Sequence, residues 1–182
     1  MIGIHKGVEK RRMIYFIADT HFNHANIIKY CNRPFKNTDE MNKYIIQKWN
    51  SVVKEDDIVY HLGDVGFGSL QEVKSLVRRL NGTKILLRGN HDFKIGTNTW
   101  KEIGFSEVHK KKIILDNLLL THAPTEEVGE NQINIFGHIH DKPLDERFDK
   151  KNHICVSCDV IDYMPVSIEA IKEKVRNEKE NE

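Results

Sequence analysis

Short apolar runs that stop on an Asp, an Asn or a His constrain this chain more than any other feature. The run 12–18 (RMIYFIA) is followed by Asp19 and His21, and the run 57–62 (DIVYHL) by Gly63 and Asp64. KILL at 84–87 leads into Arg88-Gly89-Asn90-His91-Asp92. The run 118–121 ends at His122, and INIF at 133–136 ends in Gly137-His138-Ile139-His140. Runs of this length and composition read as buried strands. Helical periodicity fills the gaps between the first three. Met41, Ile45, Ile46, Trp49, Val52 and Val53 share one face over 38–53, with Thr38 as the expected N-cap. Leu70, Val73, Leu76, Val77 and Leu80 do the same over 69–80, with Ser69 and Glu72 as a capping box and Asn81-Gly82 as the stop. Strand, helix, strand, helix, strand implies right-handed crossovers and a largely parallel sheet.

The second half changes character. Stretches 108–115 and 118–121 flank Asp116-Asn117 as a hairpin, and 133–136 and 154–160 read as further strands. Helices are expected near 97–103 and over 166–175. With no linker or repeat, the 182 residues make one domain, with an N-terminal extension over 1–11 and a frayed tail over 176–182.

Composition narrows the classes. A net charge of +1 lacks the global basic footprint of a tight nonspecific nucleic-acid binder, although a locally positive site can still take nucleic acid as substrate. The basic run His109-Lys110-Lys111-Lys112 reads as a solvated face. There is no run of about 18 apolar residues and no signal-peptide pattern, so the expected location is cytoplasmic, away from membranes. Three cysteines, Cys31, Cys155 and Cys158, do not suggest a disulfide scaffold, and the last two read as reduced thiols on opposite faces of a strand.

In open α/β sheets, sites form just beyond the carboxyl ends of strands. The residues after these runs, spread from 19 to 140, therefore converge. Each piece alone is equally well a turn residue or a core histidine; five in order, all at strand ends, are not. His138 and His140, two apart in extended chain, face the same way. Imidazole and carboxylate together suit zinc, iron, manganese or nickel better than calcium.

The series Asp19-x-His21, Gly63-Asp64, Gly89-Asn90-His91-Asp92, His122 and Gly137-His138-x-His140 resembles the calcineurin-like metallophosphoesterase superfamily, in the family's order. The stretch Asp19-Thr20-His21-Phe22-Asn23-His24, with Arg33-Pro34-Phe35 downstream, is similar to a small prokaryotic and phage-associated subgroup. The resemblance implies a four-layer α/β/β/α sandwich, two facing mixed sheets flanked by helices. It implies two divalent metal ions, manganese first, with iron, zinc or nickel as alternatives. Asp19, His21 and His140 would hold one ion, Asn90, His122 and His138 the other, and Asp64 would bridge both, as a carboxylate's two oxygens allow. His91 would stand over the substrate phosphate, and Asp92 would orient it. The expected reaction is in-line attack of metal-bound hydroxide on phosphorus.

Three further residues are candidate substrate contacts. His24 and Arg33 lie in the loop after the first strand, and Arg88 precedes the Gly89-Asn90-His91 turn. With no spare segment for a capping domain, the expected substrate is a nucleotide-like or nucleic-acid phosphodiester. A phosphomonoesterase is the close alternative. A non-catalytic scaffold would be expected to lack ligand positions that this chain has, and structural zinc prefers cysteine-rich sites.

Overall fold

The computed structural model describes residues 12–180; the N-terminal extension expected over 1–11 lies outside the described residues, as do 181–182. In chain order the first half contains β1 (Ile14–Ile17), α1 (Ala25–Tyr30), α2 (Thr38–Val52), β2 (Ile58–His61), α3 (Leu70–Val77), β3 (Thr83–Leu87), α4 (Thr97–Ile103) and β4 (Glu107–His109). The second half contains β5 (Ile113–Leu115), β6 (Leu118–Leu120), β7 (Ile133–Phe136), β8 (His153–Cys155), β9 (Val166–Ser167) and α5 (Ile168–Glu180).

Two mixed sheets result, flanked by helices as expected. One has the order β4-β3-β2-β1-β9, parallel except for β9, and the other β5-β6-β7-β8, parallel except for the β5–β6 hairpin. Successive residues of a strand point to opposite faces. Ile17 accordingly packs against the helices, among Met41, Ile45, Trp49 and Trp100. Its neighbour Phe16 packs between the sheets with Leu62, Leu87, Leu120 and Ile135, where α5 adds Ile168, Ile171 and Val175. Strands buried on both faces need near-continuous apolar sequence. Each such side chain stabilises the fold by about 1.5–3 kcal/mol.

Several boundaries differ from the sequence reading. The N-cap of α2 is Asn37, whose side chain accepts from Glu40 N at 2.9 Å, one residue before Thr38. The capping box of Ser69 and Glu72 is present. The strand expected over 108–115 is two strands in different sheets. β4 ends at His109, and the chain crosses through Lys110–Lys112 to β5, because consecutive ammonium groups cannot stay on a buried pleat. The strand expected over 154–160 ends at Cys155. Beyond it the backbone turns to the end of β1, where Ala18 N donates to Val156 O and Cys158 N to Ala18 O, and a 3-10 turn follows over Cys158–Val160. The tail expected to fray from 176 is helical through Glu180. Among the described residues, no helix is long and apolar enough to cross a membrane.

Candidate metal centre

β1 and β2 end side by side, and the chain beyond them stays zipped. Asp19 N donates to Gly63 O, His21 N to Asp64 O and Phe22 N to Val65 O, each at 3.0 Å. The backbone here is sharply turned: φ is +57° at Asp19, +47° at His21, +58° at Asp64, +71° at His138 and +55° at His140. Left-handed backbone at non-glycine residues is uncommon and persists where the surroundings over-determine it. The neighbouring glycines allow the loops to approach. A Cβ on Gly137 would lie 2.3 Å from Ala18 Cβ, and one on Gly89 would lie 2.3 Å from Asp64 Oδ1.

The loops bring seven donor side chains together. Asp64 Oδ2 stands at the centre, 3.7 Å from His21 Nε2, 3.6 Å from His122 Nε2 and 3.9 Å from His91 Nε2. The ligand atoms of Asp19, His21 and His140 lie within 4.8 Å of one another, as do those of Asp19, Asp64 and His122. Asn90 Nδ2 is 3.4 Å from His138 Nδ1, which in turn is 3.2 Å from His122 Nε2. Half a turn of the Asn90 amide would bring its oxygen to the cluster without moving the chain.

Hydrogen bonds outside the cluster set the ring states. His122 Nδ1 donates to Leu62 O at 2.7 Å and His140 Nδ1 donates to Asp159 Oδ2 at 2.7 Å, so in the neutral rings both Nε2 atoms carry lone pairs. Burial, with the Arg33 charge adding to it, holds His21 neutral at any ordinary pH. Burial, then His122, also lowers His138. At His140 burial opposes charge, but the bond to Asp159 and the charge of Asp19 outweigh it, so this ring titrates above the usual range. Burial raises Asp19.

The donor set fits divalent ions. Asp19 Oδ1 and both ring nitrogens of His21 are buried without a hydrogen-bond partner. A buried polar atom left unpaired costs about 1–3 kcal/mol, and three in one place call for a cation. His138 Nδ1 and His122 Nε2, facing each other at 3.2 Å, need a proton or a cation between them. Two carboxylates, four imidazoles and one amide match the borderline transition metals.

The other sequence candidates separate. His91 borders the open side of the cluster with its side chain 47% exposed, and its backbone N donates to Asp64 Oδ1 at 3.0 Å. His24 lines the pocket above the cluster. Asp92 does not orient His91. It is buried, and its carboxylate accepts from Gly89 N, Asp64 N and Val65 N at 2.8, 2.8 and 3.1 Å, clamping the β2 and β3 loops together. Burial lifts its carboxyl to about 6 against the pull of those N–H groups. Arg33 is not a free phosphate ligand. It is buried, bonded to both oxygens of Asp159 at 2.8 and 3.0 Å, and its other donors go to the carbonyls of Asp19 and Thr20. Arg88 is buried too, donating to Ile95 O at 2.9 Å and lying over the Phe93 ring, off the pocket.

The sequence reading passed over Asp159, Ser157 and Phe67. Asp159 links Arg33 to His140, and Ser157 Oγ donates to Asp19 Oδ2 at 2.6 Å. Asp159 follows an apolar run, the same signal that marked the other loops. His61 is buried one layer below the cluster. Its Nδ1 accepts from Gly63 N, and its Nε2 meets Thr20 Oγ1 at 2.9 Å.

Two facing mixed sheets with carboxylate, imidazole and amide donors gathered at their strand ends define an α/β protein of the metallophosphoesterase class. Residues 13–169 match the family described as calcineurin-like phosphoesterase, and the chain belongs to that family. It is 44% identical over 170 residues to an uncharacterized protein of Methanocaldococcus jannaschii, covering 88% of this chain and 89% of that one. A mycobacterium phage Gene 66 protein is 25% identical over 177 residues, covering 80% of this chain and 87% of that one. Among solved structures, a protein of unknown function from Aquifex aeolicus superposes with a TM-score of 0.70 at 28% identity, covering 90% of this chain and 99% of that one. A Pseudomonas putida nuclease shares the fold at a TM-score of 0.51 and 20% identity, covering 70% of this chain and 61% of that one.

Proposed function

We propose that this chain is a dinuclear-metal-dependent phosphodiesterase acting on a nucleotide-like or nucleic-acid phosphodiester. The position of Asp64 Oδ2 carries the reading. It lies between the Nε2 atoms of His21 and His122, where one carboxylate serves both halves of a two-ion site. Asp19, His21 and His140 hold one ion, Asn90, His122 and His138 the other, and manganese is the first choice. When bound, two divalent ions supply charge for the phosphoryl oxygens and lower the pKa of water.

The chain's own groups do the rest. Asp92 clamps the backbone on either side of Asp64, so the shared carboxylate keeps its place. Asp159 takes the Nδ1–H of His140 and presents its other nitrogen to the cluster. His91, on the open side, donates from Nε2 to a phosphoryl or leaving oxygen. His24 stands at the substrate's edge. A diester fits because the pocket is an open cleft of about 530 Å³, with room for a group on each side of the phosphorus.

The test is turnover of bis(p-nitrophenyl) phosphate and p-nitrophenyl phosphate by metal-stripped protein with manganese restored, beside an Asp64→Asn variant. The expected result is diester hydrolysis that requires the metal and vanishes in the variant. Preference for the monoester would move the substrate class. Failure with manganese, zinc, nickel and iron alike would overturn the enzymatic reading in favour of a scaffold.

A further inference from the structure

The pocket over the cluster has two unlike sides. One carries the polar donors Asp64, Asn90, His91 and His138. The other is built by α1 and the loop after β2. Ile27 is buried at its base, the His24 and Phe67 rings stack with centroids 4.1 Å apart and planes 27° apart, and Tyr30 meets His24 edge-on at 6.4 Å. Phe67 also reaches the polar side, with its centroid 5.0 Å from that of His91.

Tyr30 is 73% exposed, the highest among the exposed large apolar side chains of the described residues. An exposed large ring needs no explanation when it stands alone. This one lines the same cleft as the donors, beside a stacked pair of rings. Flat rings recognise a flat π-surface, through offset stacking and edge contacts.

We propose that the Tyr30–His24–Phe67 side is a base platform: it stacks the nucleobase of a nucleoside whose phosphate lies over the Asp64 cluster, and so makes the site selective for nucleoside phosphates over those of sugars or polyols. This rests on the reading of the cluster as a phosphate site. A platform of stacked rings tolerates every base, because each presents a π-face. Selectivity is therefore for a base, with little choice among bases.

Binding tests this without turnover. The ligands are the 5′-phosphonate analogues of AMP and of ribose 5-phosphate, in which a P–C bond that water does not cleave replaces the ester. Their affinities for the manganese-loaded full chain are measured by calorimetry. Stacking of one base contributes about 5- to 150-fold in affinity. The wild-type protein is expected to hold the adenosine compound tighter than the ribose compound by a factor in that range. Tyr30→Ala should remove most of the ratio, Tyr30→Phe should keep it, and both should melt with the wild-type protein because Tyr30 is exposed. Equal affinity for the two ligands in the wild type, or a ratio that survives both Tyr30→Ala and Phe67→Leu, overturns the platform. If the protein binds the base-bearing ligand selectively yet hydrolyses no ester, the proposed function fails and the platform stands. If it hydrolyses diesters without any preference for a base, the platform fails and the function stands.

Discussion

Replacing Asp159 by Asn tests how the cluster is held in place. The side chains of Arg33 and Asp159 are 0% and 3% exposed, so their ion pair is dry. Both carboxylate oxygens are used: one takes Arg33 Nε at 2.8 Å, the other takes Arg33 Nη2 at 3.0 Å and His140 Nδ1 at 2.7 Å. An Asn keeps the shape and one acceptor oxygen, but its NH2 must then face a donor. Leaving a buried guanidinium without its counter-charge costs about 3–5 kcal/mol. At about 2–4 °C per kcal/mol for a chain of this size, the melting temperature should fall by roughly 6–20 °C. The free His140 ring should also weaken manganese binding about 10- to 100-fold. Thermal unfolding followed by circular dichroism, with manganese and with chelator, reads both. Adding Arg33→Met removes the stranded charge, so the double variant should regain part of the lost stability. The bonds from His140 and Arg33 outweigh burial and hold the Asp159 carboxyl below its usual range, so the pair's contribution is full above about pH 4 and is lost as pH falls further. A single variant that melts within about 2 °C of wild type, or a double variant as unstable as the sum of its parts, would refute this account.

Two other outcomes follow from the packing. Burial, with His122 adding to it, holds His61 neutral down to about pH 3, whereas the unfolded chain takes up that proton near pH 6.5. Its share of stability is therefore full above pH 6.5 and falls with acidification, by about 2 kcal/mol at pH 5, and His61→Gln should flatten that limb of a denaturant-unfolding series run from pH 7 to 5. Gly137→Ala would place a methyl 2.6 Å from Asp19 Oδ2, so it should cost about 1–3 kcal/mol and depress manganese affinity; calorimetry giving the wild-type value would contradict the close approach.

The residues that the structure gathers into the cluster were legible where a donor type closely follows an apolar run, as at Asp19, Asp64, Asn90, His122 and His138. The run itself marks the strand, and the strand end marks the site. Asp159 obeys the same rule but escaped it, because Val156, Cys158 and Val160 prolong the apolar pattern past the point where the backbone leaves β7 for Ala18. Arg33 and Arg88 misled for another reason. A loop arginine near a phosphate site suits the phosphate, and only tertiary structure reveals that Arg33 is already spent on a carboxylate 126 residues away. Asp92 reads from sequence as a partner of its neighbour His91, yet its carboxylate is bonded to backbone N–H groups of its own loop at Gly89 and of the loop after β2 at Asp64 and Val65. The crossing at Lys110–Lys112 was hidden because apolar residues on both sides suit a single strand.

That crossing also bears on how long the fold lasts once formed. Asp19, His21, Asp64 and Asn90 hang from the first sheet, and His122, His138 and His140 from the second. Any ion held by both groups ties the two sheets together across the seam. The parallel strands of the first sheet are consecutive in sequence, joined by helical crossovers, and can assemble early, whereas β9 must return to β1 after the whole second sheet. A tie made only in the completed molecule is absent from the transition state, so it slows unfolding and leaves the refolding rate alone. The metal would then act as a clock on the molecule's lifetime: chelation should shorten the half-life of the folded state without changing how fast it is regained.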